Sequence, residues 1–168
     1  MEKYKKISTF SLLLVLLLIS IGGCINTPDP QITINVQVSK LTEEEMNDVE
    51  VRGLNNPKKD DFRKFTLNLN MANFSKISSR KISIPKNMGR LINYIDGDRY
   101  WYGNESKRDN VENNFASYTK EFVFYSKGLS EGDIKKAYQS AIIIVTWVTK
   151  EGKEIKKEFV VGDLIKFN

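Results

Sequence analysis

Residues 32–38, with the sequence ITINVQV, alternate between aliphatic and polar side chains without a break. Successive side chains of a β-strand point to opposite faces, so this pattern puts every aliphatic residue of the run on one face. Residues 65–72 (FTLNLNMA) repeat the alternation, and residues 155–161 are expected to form a last alternating strand. These three segments predict strands that bury one face and leave the other to solvent.

Three further segments favour strands of other kinds. Residues 141–149 form the most apolar run after the N-terminal segment, which is typical of a central strand covered on both faces, or on one face and by a loop. Residues 118–125 also have strand character. Residues 82–84 precede Pro85, and because proline cannot donate to a strand ladder, we expect a short edge strand there.

The middle of the chain is harder to assign. Asp96-Gly97-Asp98 is typical of a tight turn, so residues 91–95 and 99–102 are predicted to pair as a hairpin. Residues 103–117 are rich in asparagine and charge, and we expect them to form a long exposed loop.

Helical signals are few. Thr42 and Glu45 have the spacing of a capping box, with Leu41 and Met46 at the staple positions, which predicts a short helix over residues 43–50. Residues 126–136 contain turn residues and room for a single helical turn.

Seven to nine strands with one or two short helices predict a mainly β chain folded as an antiparallel β-sandwich. Residues 138–140 (YQS) resemble the tyrosine corner of the immunoglobulin fold, with Ser140 where the second cysteine would fall. An immunoglobulin-like sandwich is therefore the first expectation, and a jelly roll or small barrel the alternative. Either Trp101 or Trp147 could be the core tryptophan.

The first 23 residues have the layout of an export signal. Three lysines precede an apolar segment over residues 7–21, and two glycines separate that segment from Cys24, the one cysteine of the chain. The segment is shorter than the roughly 20 residues that span a bilayer, which disfavours a permanent transmembrane helix. A cleaved secretory signal or an uncleaved helical anchor is the weaker reading.

Residues 21–24 (IGGC) resemble the prokaryotic lipobox, in which an aliphatic residue and two small residues precede a cysteine. Gly22 stands where alanine, serine or threonine is commoner. The resemblance implies cleavage between Gly23 and Cys24, a lipid on the Cys24 thiol, and a protein held at the extracytoplasmic face of the cell membrane. Two acyl chains anchor stably where one binds reversibly. The predicted division is a signal peptide over 1–23, a proline-containing tether over 24–30, and one sandwich domain over 31–168.

Composition excludes several classes of function. Removing residues 1–23 takes away three lysines and one glutamate, which lowers the formal net charge from +5 to +3 and leaves no dense basic stripe for nucleic acid. The chain has no histidine, and its single cysteine is assigned to lipid, so the commonest general base and the usual zinc ligands are missing. We therefore expect no cofactor and no enzymatic activity.

Two patterns have catalytic or metal-binding precedent, but neither predicts a site. Ser78 with Lys81, and Ser83 with Lys86, have the Ser-x-x-Lys spacing, but the alternation around Pro85 denies the helix that this chemistry needs. Residues 96–98 with Asn104 and Glu105 offer oxygen atoms to a hard cation, yet the twelve-residue calcium loop pattern is absent.

Aromatic residues supply the candidate binding surface, which consists of Tyr94, Tyr100, Trp101 and Tyr102. Aromatic faces with a polar tip serve sugars and protein partners alike. The sequence predicts a membrane-anchored module that binds a protein or an envelope polysaccharide. The alternatives are a structural or assembly subunit of a cell-envelope complex and a carboxylate-dependent hydrolase.

Overall fold

The structure, a computed structural model, describes residues 29–51, 53–72, 77–110 and 115–168. The strands in this part of the chain are β1 (Gln31–Lys40), β2 (Phe62–Ala72), β3 (Ile77–Ser83), β4 (Tyr100–Asn110), β5 (Phe115–Tyr125), β6 (Ile142–Thr149), β7 (Glu154–Val160) and β8 (Ile165–Phe167). The α-helices are α1 (Glu43–Asn47), α2 (Glu131–Ala137) and α3 (Val161–Leu164), and 3-10 turns cover Lys59–Asp61 and Met88–Tyr94.

The strands form two facing sheets, in the orders β4-β5-β2-β1-β8 and β3-β6-β7. Every neighbouring pair is antiparallel except β1 and β8. If β1 to β7 are lettered A to G, the sheets are ABED and CFG, which is the arrangement of a constant-type immunoglobulin domain. The strand β8 extends the first sheet beside β1. The predicted mainly β, antiparallel sandwich is confirmed.

The core lies between the sheets because the alternating strands turn their aliphatic sides inward. Ile34 lies opposite Leu69 and Val36 opposite Leu67 in the β1–β2 ladder, as the two runs of alternation require. In the neighbouring ladder Phe65 stacks on Phe122, with 4.5 Å between ring centroids. Each such side chain contributes about 1.5–3 kcal/mol when it is fully buried.

A second apolar cluster lies on the outer face of the five-stranded sheet. It contains Leu41, Val49, Phe62 and Val123, with Trp101 packed against it. The helix α1 stands beside this cluster, and its predicted capping box is present: the Glu45 amide donates to Thr42 Oγ1 at 3.1 Å, and the Thr42 amide donates to Glu45 Oε2 at 2.9 Å. The predicted helix is confirmed, although it ends at Asn47.

The predicted hairpin around residues 96–98 is wrong, and so is the loop over 103–117. Met88–Tyr94 is a 3-10 helix, and β4 pairs with β5 instead, for example Glu105 opposite Lys120. The strand β4 lies at the edge of its sheet, where charged residues meet solvent and protect the edge from pairing with other chains. An edge strand of this composition has the polarity of a loop.

The likeness to a tyrosine corner extends to the ring of Tyr138 and no further. Tyr138 is fully buried, 5.0 Å from Phe65 between ring centroids, but its hydroxyl has no hydrogen-bond partner among the described residues. Ser140 is exposed before β6 begins. Trp147 is the core tryptophan, and it lies on β6, which is strand F, whereas immunoglobulin domains carry theirs on strand C.

The sandwich has two ends with different contents. At the proximal end β1 begins, with Gln31 opposite Ala72 at the end of β2. At the distal end lie the Met88–Tyr94 helix, between β3 and β4, and α2, between β5 and β6. Among the described residues, no helix has both the length and the apolar character needed to cross a bilayer.

Candidate functional site

The four residues of the predicted aromatic surface lie in three different environments. Tyr94, the last residue of the distal 3-10 helix, is 84% exposed, and Tyr102 on β4 is 37% exposed. Tyr100 packs against the main core, with its ring centroid 6.0 Å from that of Phe122. Trp101 belongs to the outer cluster. The structure therefore does not bring the four residues together on one surface.

Trp101 is half-buried and has a structural role. Its ring packs edge to face against that of Phe62, with 5.6 Å between the ring centroids, and its Nε1 donates to the backbone carbonyl of Glu50. The register of the β4–β5 ladder shifts between Tyr100 and Tyr102, so the bulged Trp101 joins Tyr102 on the outer side. Trp101 ties the segment after α1 to the sheet.

The distal groove is a depression of about 390 Å³ between the end of the 3-10 helix and α2. Its lining residues are Tyr94, Ile95, Asp133, Lys136, Ala137 and Ser140. The exposed ring of Tyr94 and the 36% exposed Ile95 give it an apolar side. It offers an aromatic contact with one acidic and one basic group at the rim, which suits recognition of a partner surface.

Asp133 is fixed within this groove by helix capping. The amide and the hydroxyl of Ser130 donate to its Oδ2 at 2.9 and 2.6 Å, and its own amide donates to Ser130 Oγ at 3.2 Å. These hydrogen bonds from Ser130 lower the pKa of the Asp133 carboxyl, which stays ionised near neutral pH. The same box starts α2.

A second depression, the lateral groove, runs between the edge strands β3 and β4 and measures about 290 Å³. Its lining residues are Ile82, Ser83, Ile84, Lys86, Glu105, Ser106, Lys107, Tyr118, Thr119 and Lys120. Sequence reasoning missed this groove because it assigned residues 103–117 to a loop. Recognising β4 as a charged edge strand would have paired Glu105 and Lys107 with β5 and brought these residues together.

A cluster of polar side chains closes the lateral groove on its proximal side. Arg80 Nη2 lies 2.5 Å from Asp109 Oδ1, and the Tyr118 hydroxyl donates to Asp109 Oδ2 at 2.5 Å. The Arg80 side chain is only 6% exposed. Burial raises the pKa of the Asp109 carboxyl, but the hydrogen bonds from Tyr118 and Arg80 outweigh burial and hold that pKa below its usual value. Burial and the neighbouring carboxylate raise the pKa of Tyr118, which stays protonated.

The outer groove, of about 150 Å³, lies beside α1 and holds Tyr102 together with Glu45, Lys64 and Glu121. Lys64 Nζ lies 3.0 Å from Glu45 Oε1 and 3.7 Å from Glu121 Oε2. A hydrogen bond from the Thr42 backbone, and then one from Lys64, lowers the pKa of Glu45. Lys64 thus lies within ion-pair distance of both carboxylates.

The geometry supports neither a Ser-x-x-Lys catalytic site nor a cation site around residues 96–98. Ser78, Lys81 and Ser83 all lie on β3, so the helical turn of a Ser-x-x-Lys site is missing. Asp96 is engaged by the Arg99 guanidinium, with Nη2 2.6 Å from Oδ2. In the described part of the chain, no three acidic residues are grouped in a way that could hold a metal ion. Gly23 and Cys24 lie outside the described residues.

Comparison of the chain with protein-family models, with curated proteins and with solved structures found no match.

Proposed function

We propose that this protein is a lipid-anchored, extracytoplasmic binding module that recognises a protein or an envelope polysaccharide through its distal groove. The observation that carries the proposal is the order of features in residues 1–24: lysines, an apolar segment, and the lipobox-like IGGC. Cys24 would carry the lipid, and the membrane would be the protein's first partner.

The position of the anchor supports the choice of surface. Strand β1 begins at Gln31, seven residues after Cys24. A tether of that length, stiffened by Pro28 and Pro30, would hold the proximal end near the membrane. The distal groove would then face away from the lipid, and its exposed Tyr94 is the kind of aromatic anchor that interfaces use.

An assembly subunit that pairs through the β4 or β7 edge has less support. Edge strands β4 and β7 carry Lys107, Arg108, Lys156 and Lys157, and such charges oppose indiscriminate strand pairing. A hydrolase has less support too, because the carboxylates that share the outer groove are both paired with Lys64. Binding is the function that these observations favour.

Metabolic labelling with a radioactive fatty acid tests the anchor. The native chain is expected to incorporate label, and the Cys24→Ala variant is expected to incorporate none and to leave the membrane fraction. Label in Cys24→Ala equal to that in the native chain would refute the lipid anchor at this residue.

Site-specific photocrosslinking in cells tests the binding surface. A photoreactive residue at position 94 is expected to give defined adducts, while the same residue at position 153, in the turn before β7 at the proximal end, serves as the control. Identical adducts from both positions, or adducts from position 153 alone, would count against the distal groove.

A further inference from the structure

We infer that the lateral groove is a second binding site, and that its ligand is an extended acidic peptide segment of a partner protein that adds as a strand beside β3. The inference rests on the free edge of β3, on the charge of the groove and on its apolar wall. It does not depend on the lipid anchor or on the distal groove.

Two unpaired strand edges face this groove. Among the described strands, β3 pairs with β6 alone and β4 with β5 alone, so each is the last strand of its sheet on this side. A free edge presents backbone N–H and C=O groups, and an extended peptide can satisfy them by adding a strand. Variable-type immunoglobulin domains place additional strands beside the equivalent of β3. The constant-type arrangement found here leaves that place open.

The charge of the groove selects an acidic ligand. Lys86, Lys107 and Lys120 line it, against the single carboxylate of Glu105. Lys120 is paired with Glu105, at 2.5 Å between Nζ and Oε2. Lys86 and Lys107 are exposed, and neither takes part in an ion pair with another described residue, although Lys107 Nζ lies 5.3 Å from the centroid of the Tyr118 ring. Carboxylates of a ligand would pair with these two lysines, while a basic strand would be repelled.

The apolar wall favours a peptide over a carboxylated glycan. Ile82 and Ile84 form that wall, and Tyr118 is 9% exposed with its hydroxyl bonded to Asp109. A sugar ring would need an open aromatic face, which Tyr118 does not present. An apolar side chain flanked by carboxylates matches the two isoleucines and the two lysines.

The Arg80–Asp109–Tyr118 cluster makes the groove a preformed one. It joins β3 to β4 just proximal to the groove, since Arg80 precedes Ile82 by two residues and Asp109 follows Lys107 by two. Binding to a preformed groove avoids the entropic cost of ordering the site.

Fluorescence anisotropy with the full-length chain in detergent tests the inference. The probe is a fluorescein-labelled octapeptide of alternating glutamate and valine, compared with alternating glutamine and valine, alternating lysine and valine, a backbone N-methylated acidic peptide, and an oligogalacturonate. The protein variants are Lys86→Glu/Lys107→Glu and the matched control Lys153→Glu/Lys166→Glu, which reverses two exposed lysines away from the groove and changes the net charge equally.

The acidic peptide is expected to bind about tenfold more tightly than the glutamine peptide, and the Lys86→Glu/Lys107→Glu variant to lose about tenfold in affinity while the control variant keeps it. N-methylation is expected to abolish binding because it removes the donors that pair with β3. The inference is overturned if no acidic peptide binds at millimolar concentration, if both variants bind alike, if the N-methylated peptide binds as well as its parent, or if the oligogalacturonate binds in place of the peptide.

Discussion

At the scale of single residues, the most informative side chain is Tyr138, whose buried hydroxyl finds no partner in the described part of the chain. A buried hydroxyl without a hydrogen bond loses its hydration and receives nothing in return. Tyr138→Phe is therefore expected to leave the free energy of unfolding unchanged or to raise it by up to about 1 kcal/mol in urea titrations.

Tyr118→Phe provides the matched control for that measurement. The same chemical change there removes the hydrogen bond to Asp109 and is expected to cost about 1–3 kcal/mol. A loss of more than about 1 kcal/mol in Tyr138→Phe would mean that the hydroxyl is bonded, as in a true tyrosine corner.

Asp109 is expected to make the stability of the protein depend on pH. Because its pKa is lowered in the folded protein, the ionised carboxylate contributes stability that is complete above the ordinary value of 3.8 and is lost as the pH falls through the folded pKa. The difference in unfolding free energy between the native chain and Asp109→Asn is expected to be largest above pH 5 and to shrink toward pH 2. A difference that stays constant over this range would contradict the assigned ion pair.

At the scale of elements, replacing a glycine by alanine is expected to have opposite effects on stability at two helix positions. A Cβ on Gly162 in α3 would lie 2.5 Å from the backbone oxygen of Lys135 in α2, whereas one on Gly132 would meet only Ser130 Oγ, at 3.6 Å. Gly162→Ala is expected to destabilise the protein by about 1–3 kcal/mol through overpacking, and Gly132→Ala to stabilise it by about 0.5–1 kcal/mol through helix propensity. Thermal unfolding of both variants checks the contact, and equal effects would argue against it.

Whether an element could be predicted from the sequence depended on how its residues are buried and on how local its interactions are. Strands β1 and β2 were predictable because one face is buried and the other solvated, which imposes the alternation. The capping box of α1 was predictable because it is local. Strand β4 was not, because an edge strand with a polar, charged sequence has no periodic apolar signal, and the lateral groove was lost with it. The sequence also did not indicate how the four aromatic residues are distributed, because Tyr94 ends a 3-10 helix and a bulge at Trp101 redirects the side chains of β4.

At the scale of the whole molecule, the proposed lipid on Cys24 would orient the sandwich relative to the membrane. The proximal end would lie at the membrane, the distal groove would face outward, and the lateral groove would lie along the side. Both grooves would then be open to partners from the envelope. This orientation requires a lipid at Cys24.

Mass spectrometry of the protein extracted from membranes of a prokaryotic host tests that central claim most directly. The proposal predicts a mature chain that lacks residues 1–23 and whose N-terminal Cys24 carries a diacylglyceryl group. A chain that retains Met1, or one that begins at or after Cys24 without lipid, would contradict it.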